Sequence, residues 1–266
     1  MYDTILPFVI DIVKQASSLM SRDHFTVSVK EEHIENIVTS SDVAVQDFLT
    51  GKLSLLLPGS GFFCEEEDLN APSSDYTWII DPIDGTANYA RGIADCCISV
   101  GLEYRGEIVL GVVYSPWRNE LYSACKGKGA FMNGERIHVS TRPFRQALFC
   151  TAMSTYHKEF AQTCSRIIYD VYMGCNDLRR WGSAALELCL LARGDVELYF
   201  EMRLQPWDYA GGLLILKEAG GYAASFDGAL PSLRRPSLLV AANSRESLSL
   251  LEKAVHTHLE YYPEVK

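Results

Sequence analysis

WIIDPIDGTANYARG, from Trp78 to Gly92, decides how the rest of the chain is read. An apolar run, Trp78, Ile79 and Ile80, leads into acid, proline, acid and glycine. Pro82 fixes its own φ and pushes Asp81 towards extended geometry, so a buried strand is expected to stop at Asp81. Gly85 permits a sharp turn. Asp81 and Asp84 can then face the same side of that turn. Two uncompensated carboxylates so close repel, and one pKa is driven upward. A divalent cation removes the conflict. Mg²⁺ suits such a site because it takes few carboxylates and completes its shell with water and phosphate oxygens. Taken alone, the same residues also fit a solvated acidic turn, since Asp, Pro and Gly all favour turns.

Three further acidic segments bear on that choice. FFCEEEDLN places Glu65, Glu66, Glu67 and Asp68 after Phe62 and Phe63, so an apolar approach delivers acids to a strand end, although charge runs are ordinarily solvated faces. Asp208 in PWDYAGG and Asp42 in VTSSD sit at helix starts, where a plain N-cap explains them equally well. Trp207 ahead of Asp208 implies burial, and Ala210, Gly211 and Gly212 behind it allow close approach. Thr86 can orient a water at the metal or cap a helix beginning near Ala87; the two roles are compatible. Amides at that helix start, from Gly85 and Thr86, would cradle a phosphate.

Bulk properties exclude several alternatives. The 266 residues suffice for a large domain or two joined lobes with a substantial core. A formal net charge of -10 argues against nucleic-acid binding, which needs clustered Lys and Arg. The eight cysteines include no CxxC pair, so they are read as reduced packing residues. Leu6, Val9, Ile10, Val13 and Met20 form one helical face. Asp3 and Asp11 interrupt it, and no basic stretch precedes it, so neither a signal peptide nor a membrane span is expected. The expectation is a cytoplasmic protein without a membrane partner.

The first part reads as helix, a pair of short strands in FTVSVKEEHIENIVTSSD, then a helix capped by Ser41 or Asp42 and broken by Gly59 and Gly61. From Trp78 an antiparallel meander follows: CISVGLEY, EIVLGVVYS and ELYSACKG, joined at Arg105–Glu107 and Trp117–Asn119. Asn133-Gly134 marks a tight hairpin. Beyond residue 146 strands and helices alternate: ALFCTAM, KEFAQTCSRIIYDV, WGSAALELCLLARG closed by Gly194, DVELYFEM, WDYAGGLLILKEAGG opened by Asp208, SLLVAAN and a last helix. Two intimate α/β lobes are expected, 1–145 carrying most of the acids and 146–266 carrying Asp208 and the substrate contacts.

Together these residues resemble the inositol monophosphatase family of Mg²⁺-dependent, lithium-sensitive phosphatases. Trp78 to Tyr89 matches its W-x-[IV]-D-P-[IL]-D-G-T-x-N-[FY] signature, and Trp207 to Gly221 its W-D-x-A-[AG]-G-x-x-[IL]-x-x-E-A-G-G signature. VTSSD, GKGAFMNG, WGSAALELC and YFEM resemble further family segments in the expected order. The resemblance implies a five-layered αβαβα sandwich and a homodimer. It implies that Glu65, Asp81 and the Ile83 carbonyl hold a first Mg²⁺, and that Asp81, Asp84 and Asp208 hold a second, with a third, weaker site in some members. Glu65 and Thr86 would position the attacking water, with Asp42 behind Thr86. Gly85 and Thr86 would receive the phosphate. Asp84, Gly182, Ser183, Ala184, Glu201 and Asp208 would line the substrate side, with Glu201 on the hydroxyls of a phosphorylated polyol or sugar. Departures fall on the N-terminal loop and the substrate rim: Cys64 precedes Glu65, His33 to Asn36 lacks the family's Asn-Pro, Lys30 is the candidate loop lysine, and Arg203 stands where glycine is common.

The activity so implied is hydrolysis of a small phosphate monoester, inositol 1-phosphate first. The alternatives are fructose 1,6-bisphosphate, histidinol phosphate and 3′-phosphoadenosine 5′-phosphate, a regulatory binding protein keeping the fold, or a Ca²⁺-binding structural module. The six histidines lie outside the motifs and are assigned no chemistry.

Overall fold

The computed structural model describes residues 2–21, 25–29, 37–66 and 74–259. Helix α1 (Tyr2–Ala16) buries Val9, Val13 and Ala16, a stripe at helical spacing that agrees with the expected apolar face. The expected strand pair is present as β1 (Val27–Val29) and β2 (Ile37–Thr39), joined antiparallel. Lys30 and His33 to Asn36 lie outside the described residues, as do His24, Glu67 and Asp68.

Helix α2 (Ser40–Leu56) follows directly, and its start corrects the expectation that Ser41 or Asp42 caps it. Thr39 is the N-cap. Asp42 sits three residues on, and its Oδ2 accepts the Thr39 backbone N–H at 2.8 Å. The reciprocal arrangement satisfies two otherwise orphaned amides, where a lone cap satisfies one.

The chain then builds a seven-stranded sheet whose strands lie in sequence order: β3 (Gly61–Cys64), β4 (Tyr76–Asp84), β5 (Cys97–Tyr104), β6 (Glu107–Ser115), β7 (Glu120–Cys125), β8 (Gly129–Met132) and β9 (Glu135–Ile137). β3 and β4 are parallel, and from β4 onward the sheet is the expected antiparallel meander.

β4 carries a second correction, because it does not stop at Asp81 but runs on to Asp84. Asp81 pairs with Ser99 and Asp84 with Cys97, so three steps on β4 oppose two on β5. The extra residue is a β-bulge around Pro82, whose missing N–H cannot serve a regular ladder. Residues three apart on a regular strand point to opposite faces. The bulge cancels that alternation and brings Asp81 and Asp84 to one face.

A five-stranded sheet forms from the second half, in the order β11 (Asp177–Arg179), β10 (Leu148–Thr151), β12 (Leu198–Leu204), β14 (Ser237–Ala242), β13 (Tyr222–Ala224). The short strands β11 and β13 were not anticipated. Helix α4 (Ala161–Gly174) and helix α7 (Arg245–His258) cover its outer face. Between the two sheets lie α5 (Ala184–Arg193) and α6 (Pro206–Glu218), while α1 and α2 cover the far side of the seven-stranded sheet. The layers run αβαβα, as expected. Seven of the cysteines are buried, Cys175 is half-buried, and all eight are free thiols, consistent with a packing role.

Helix α6 is apolar on all sides because it is enclosed by both sheets. It lies almost on the backbone of β6: a Cβ built on Gly111 would stand 2.5 Å from the Gly211 carbonyl oxygen. Among the described residues, no helix is long and apolar enough to cross a membrane.

Candidate active site

The C-terminal ends of β3 and β4, the starts of α2, α5 and α6, and the end of β12 supply the residues singled out from the sequence. Asp81 is 2% exposed, and its Oδ1 is buried without a hydrogen-bond partner among the described residues. Its pKa lies well above the ordinary carboxylate range, first because burial disfavours the charge, then because Glu65, Asp84, Asp208 and Asp42 all face it. Burial likewise pushes Asp84 up to about 6, against hydrogen bonds that favour its ionised form. Asp208 is raised by burial and then by Asp84 and Glu65. Five acids from four distant parts of the sequence therefore share one electrostatic environment. Among the described residues, no three His, Cys, Asp or Glu side chains are already gathered as a metal cluster.

Each acid has its own local anchor. Glu65 follows β3, and its backbone N–H donates to the Ile80 carbonyl at 3.3 Å, keeping it beside Asp81. Asp208 corrects the expectation that it opens α6: Gln205 is the N-cap, and Asp208 Oδ2 accepts the Gln205 N–H at 2.7 Å, as Asp42 does for Thr39. Both acids are third helical residues using one oxygen to close a capping box. Asp84 Oδ2 accepts from Ser183 Oγ and from the Ala185 backbone N–H, both at 2.7 Å, and weakly from Cys97 Sγ at 3.8 Å. The start of α5 thus grips Asp84 across the interlayer space.

Gly85 is the N-cap of the one-turn helix α3 (Thr86–Tyr89), with φ of 87°. It has no room for a side chain, since a Cβ would meet the Asp95 and Gly182 carbonyls at 3.0 and 3.1 Å. The helix begins at Thr86 rather than Ala87, so Thr86 is not its cap. Its Oγ1 lies 3.0 Å from the Ile83 carbonyl and 3.4 Å from Asp42 Oδ1, and its one proton can go to either. Asn88, from the same helix, donates through Nδ2 to the Trp181 carbonyl at 2.6 Å and the Asp95 carbonyl at 2.7 Å.

Gly182, Ser183 and Ala184 form the turn into α5, close to Gly85. The polar donors of the first two are engaged inside the protein: the Gly182 N–H with Glu187, and Ser183 Oγ with Asp84. Glu201 is half-buried near the end of β12, and its Oε2 accepts from Tyr199 Oη at 2.9 Å. Burial raises its pKa to about 7, with Asp84 adding to the shift and Tyr199 and Arg180 opposing it.

Sequence reasoning missed three groups here. The Ala185 amide gives no signal in sequence. Tyr156, half exposed, has its pKa raised first by burial and then by Glu65, Asp208, Asp81 and Asp84; it sits in a loop without periodicity. Glu187 was legible, because it is the one acid in the apolar run AALELCLLA, and a carboxyl is rarely buried without partners.

Glu187 makes stability pH-dependent. It is 1% exposed, and burial lifts its pKa from 4.5 to about 8. The folded state therefore holds the proton more tightly than the unfolded chain. Its favourable contribution is fully present below pH 4.5, the ordinary value, and is lost as pH rises towards about 8. Between pH 5 and 7 the loss should reach about 2 kcal/mol. Urea unfolding across that range should show the slope in the wild type and a flatter one in Glu187→Gln; equal slopes would contradict it.

Residues 2–260 match the model of the inositol monophosphatase family. The chain is 33% identical over 229 residues to Nus factor SuhB of Escherichia coli strain K12, covering 84% of this chain and 86% of that protein. It is 33% identical over 257 residues to inositol-1-monophosphatase of Mesorhizobium japonicum, covering 93% and 95%. The crystal structure of extragenic suppressor protein suhB from Bartonella henselae superimposes with a TM-score of 0.87 at 30% identity, over 95% of this chain and 98% of that one. With the family model matched over residues 2–260 and the likeness to relatives extending over most of its length, the chain belongs to the inositol monophosphatase family.

Proposed function

We propose that this protein is a Mg²⁺-dependent phosphatase of small phosphate monoesters, with inositol 1-phosphate as its substrate, working in the cytoplasm as a homodimer and inhibited by Li⁺. The observation that carries the reading is Asp81 Oδ1, a buried carboxylate oxygen that has no hydrogen-bond partner among the described residues and that faces four other acids. Such an oxygen is costly unless a cation meets it. The donor set is all oxygen, which suits Mg²⁺. Glu65, Asp81 and the Ile83 carbonyl would hold one ion, and Asp81, Asp84 and Asp208 a second. When bound, Mg²⁺ supplies Lewis acidity at the phosphoryl and leaving oxygens.

The chain's own residues do the rest. Thr86 Oγ1 donates its hydrogen bond to the Ile83 carbonyl or Asp42, which leaves its lone pairs to accept a hydrogen bond from a water and orient it. Asp42 is fixed by its capping box, so it holds Thr86 without rearranging. Glu65, on the neighbouring strand end, confines the same water. Gly85 and Thr86 amides receive the phosphate, and the absent Gly85 side chain lets the Asp95 and Gly182 carbonyls pack behind that turn. Gly182, Ser183 and Ala184 shape the wall opposite, and Asp84 stands beside the leaving oxygen. Glu201 accepts hydrogen bonds from ring hydroxyls.

Phosphate release from inositol 1-phosphate, fructose 1,6-bisphosphate, histidinol phosphate and 3′-phosphoadenosine 5′-phosphate, with Mg²⁺ and with EDTA, tests the reading. The first should be preferred, and EDTA should abolish release. No release from any of them would favour a second reading, a regulatory binding protein, for which the likeness to proteins named Nus factor is the support. Glu201→Gln should lower kcat/KM for inositol 1-phosphate about tenfold, from about 1.5 kcal/mol for a charged hydrogen bond. A small phosphate lacking ring hydroxyls should be almost unaffected; equal loss on both would assign Glu201 to the acid cluster instead.

A further inference from the structure

We propose that Glu187 is a positioning residue for this reaction, holding the Trp181–Ser183 turn in the place from which it fixes Asp84. The inference rests on the phosphatase reading above and adds a residue to it. Glu187 Oε1 accepts the Trp181 N–H at 2.6 Å and the Gly182 N–H at 3.0 Å. From the other side, Asn88 Nδ2 donates to the Trp181 carbonyl at 2.6 Å. The turn is thus clamped between α5 and α3. Its continuation delivers Ser183 Oγ and the Ala185 N–H to Asp84 Oδ2, each at 2.7 Å. Glu187 does not reach the pocket itself; it acts through the turn.

The chemistry of the side chain suits that task. Every residue of α5 from Ala184 to Ala192 is buried, and Glu187 is the only charged type among them. A carboxyl there is disfavoured unless it is hydrogen-bonded, and two backbone donors meet its Oε1. The groups around it are mostly acidic or neutral: Glu201 and Tyr199 on β12, Asp84 on β4 and Cys150 on β10. A neutral carboxylic acid anchors the two amides without adding negative charge next to Glu201 and Asp84, where a phosphate dianion must enter. Burial favours that neutral form.

Two measurements test the proposal, one independent of turnover. In the first, kinetics on inositol 1-phosphate with saturating Mg²⁺, Glu187→Ala should lower kcat/KM by about tenfold or more, with the larger part in kcat because Asp84 is displaced. Glu187→Gln keeps a neutral acceptor and should stay within about threefold of wild type. In the second, hydrogen exchange at the Trp181 and Gly182 amides should quicken about tenfold in Glu187→Ala and hardly change in Glu187→Gln. If Glu187→Ala does not fold, Asn88→Ala opens the clamp from the other side and should quicken the same amides. Wild-type kcat in Glu187→Ala, unchanged exchange, or a Gln variant as impaired as the Ala variant would each overturn the role. Absence of activity in the wild type would instead defeat the phosphatase reading, and the exchange experiment would still decide whether Glu187 holds the turn.

Discussion

Asp84→Asn is expected to lower kcat by about a thousandfold while leaving the fold intact. Each factor of ten in rate corresponds to 1.36 kcal/mol, so about 4 kcal/mol of transition-state stabilisation is at stake, a size appropriate to one cation ligand beside a leaving oxygen. The geometry separates this from a structural effect. Asp84 Oδ2 accepts two hydrogen bonds from the start of α5, and an asparagine carbonyl oxygen can accept both. What the amide loses is the negative charge. Removing that charge also relieves the mutual repulsion recorded at Asp81 and Asp208, so stability should be unchanged or raised. The check is a paired one: kcat at saturating Mg²⁺ and a thermal unfolding midpoint. Near wild-type kcat would remove Asp84 from the chemistry. A lost midpoint together with lost activity would make it a packing residue.

The second large effect lies away from the acids. Gly111→Ala should cost about 3 kcal/mol or more, because overpacking is relieved only when something can move. Here the obstacle is backbone: the added methyl would lie 2.5 Å from the Gly211 carbonyl oxygen, on a helix held by sheets on both sides. Either α6 lifts from β6 or β6 bends. Lifting α6 would also shift Asp208 at its start, so activity per folded molecule should fall with stability. Urea unfolding of Gly111→Ala against wild type checks the first part. A loss below about 1 kcal/mol would mean that the two layers can separate more easily than their packing implies.

The parts of the fold legible in the sequence were those set by local periodicity. The meander from Cys97 to Ile137 could be read because its strands are short apolar runs and its hairpins carry Arg105-Gly106 and Asn133-Gly134. The long helices could be read because their apolar residues recur at helical spacing. β11 and β13 could not, being three residues each and held by neighbours distant in sequence. The helix starts were misread in one consistent way. Asp42 and Asp208 look like caps, yet each is the third residue of its helix, and the caps are Thr39 and Gln205. At the site, side-chain types pointed to the acids, whereas the backbone donors that hold them, such as the Ala185 amide on Asp84, have no signature in one sequence. Glu187 had a signature, an acid inside an apolar helix, and its meaning depended on a turn that only the folded chain brings near.

The bulge in β4 makes the site sensitive to length more than to composition. Trp78, Ile80 and Ile83 belong to the face of the sheet that packs against α1 and α2, whereas Asp84 reaches α5 on the opposite side. Pairing the same residues regularly, with three steps on β5 opposite three on β4, would leave every acid in the sequence yet turn the second carboxylate into the apolar layer. Among proteins built on this frame, substitutions should accumulate within the segment while β4 keeps its one extra residue against β5. A related chain that retains all five acids but pairs these two strands without the bulge should be sought among proteins that bind without turning over.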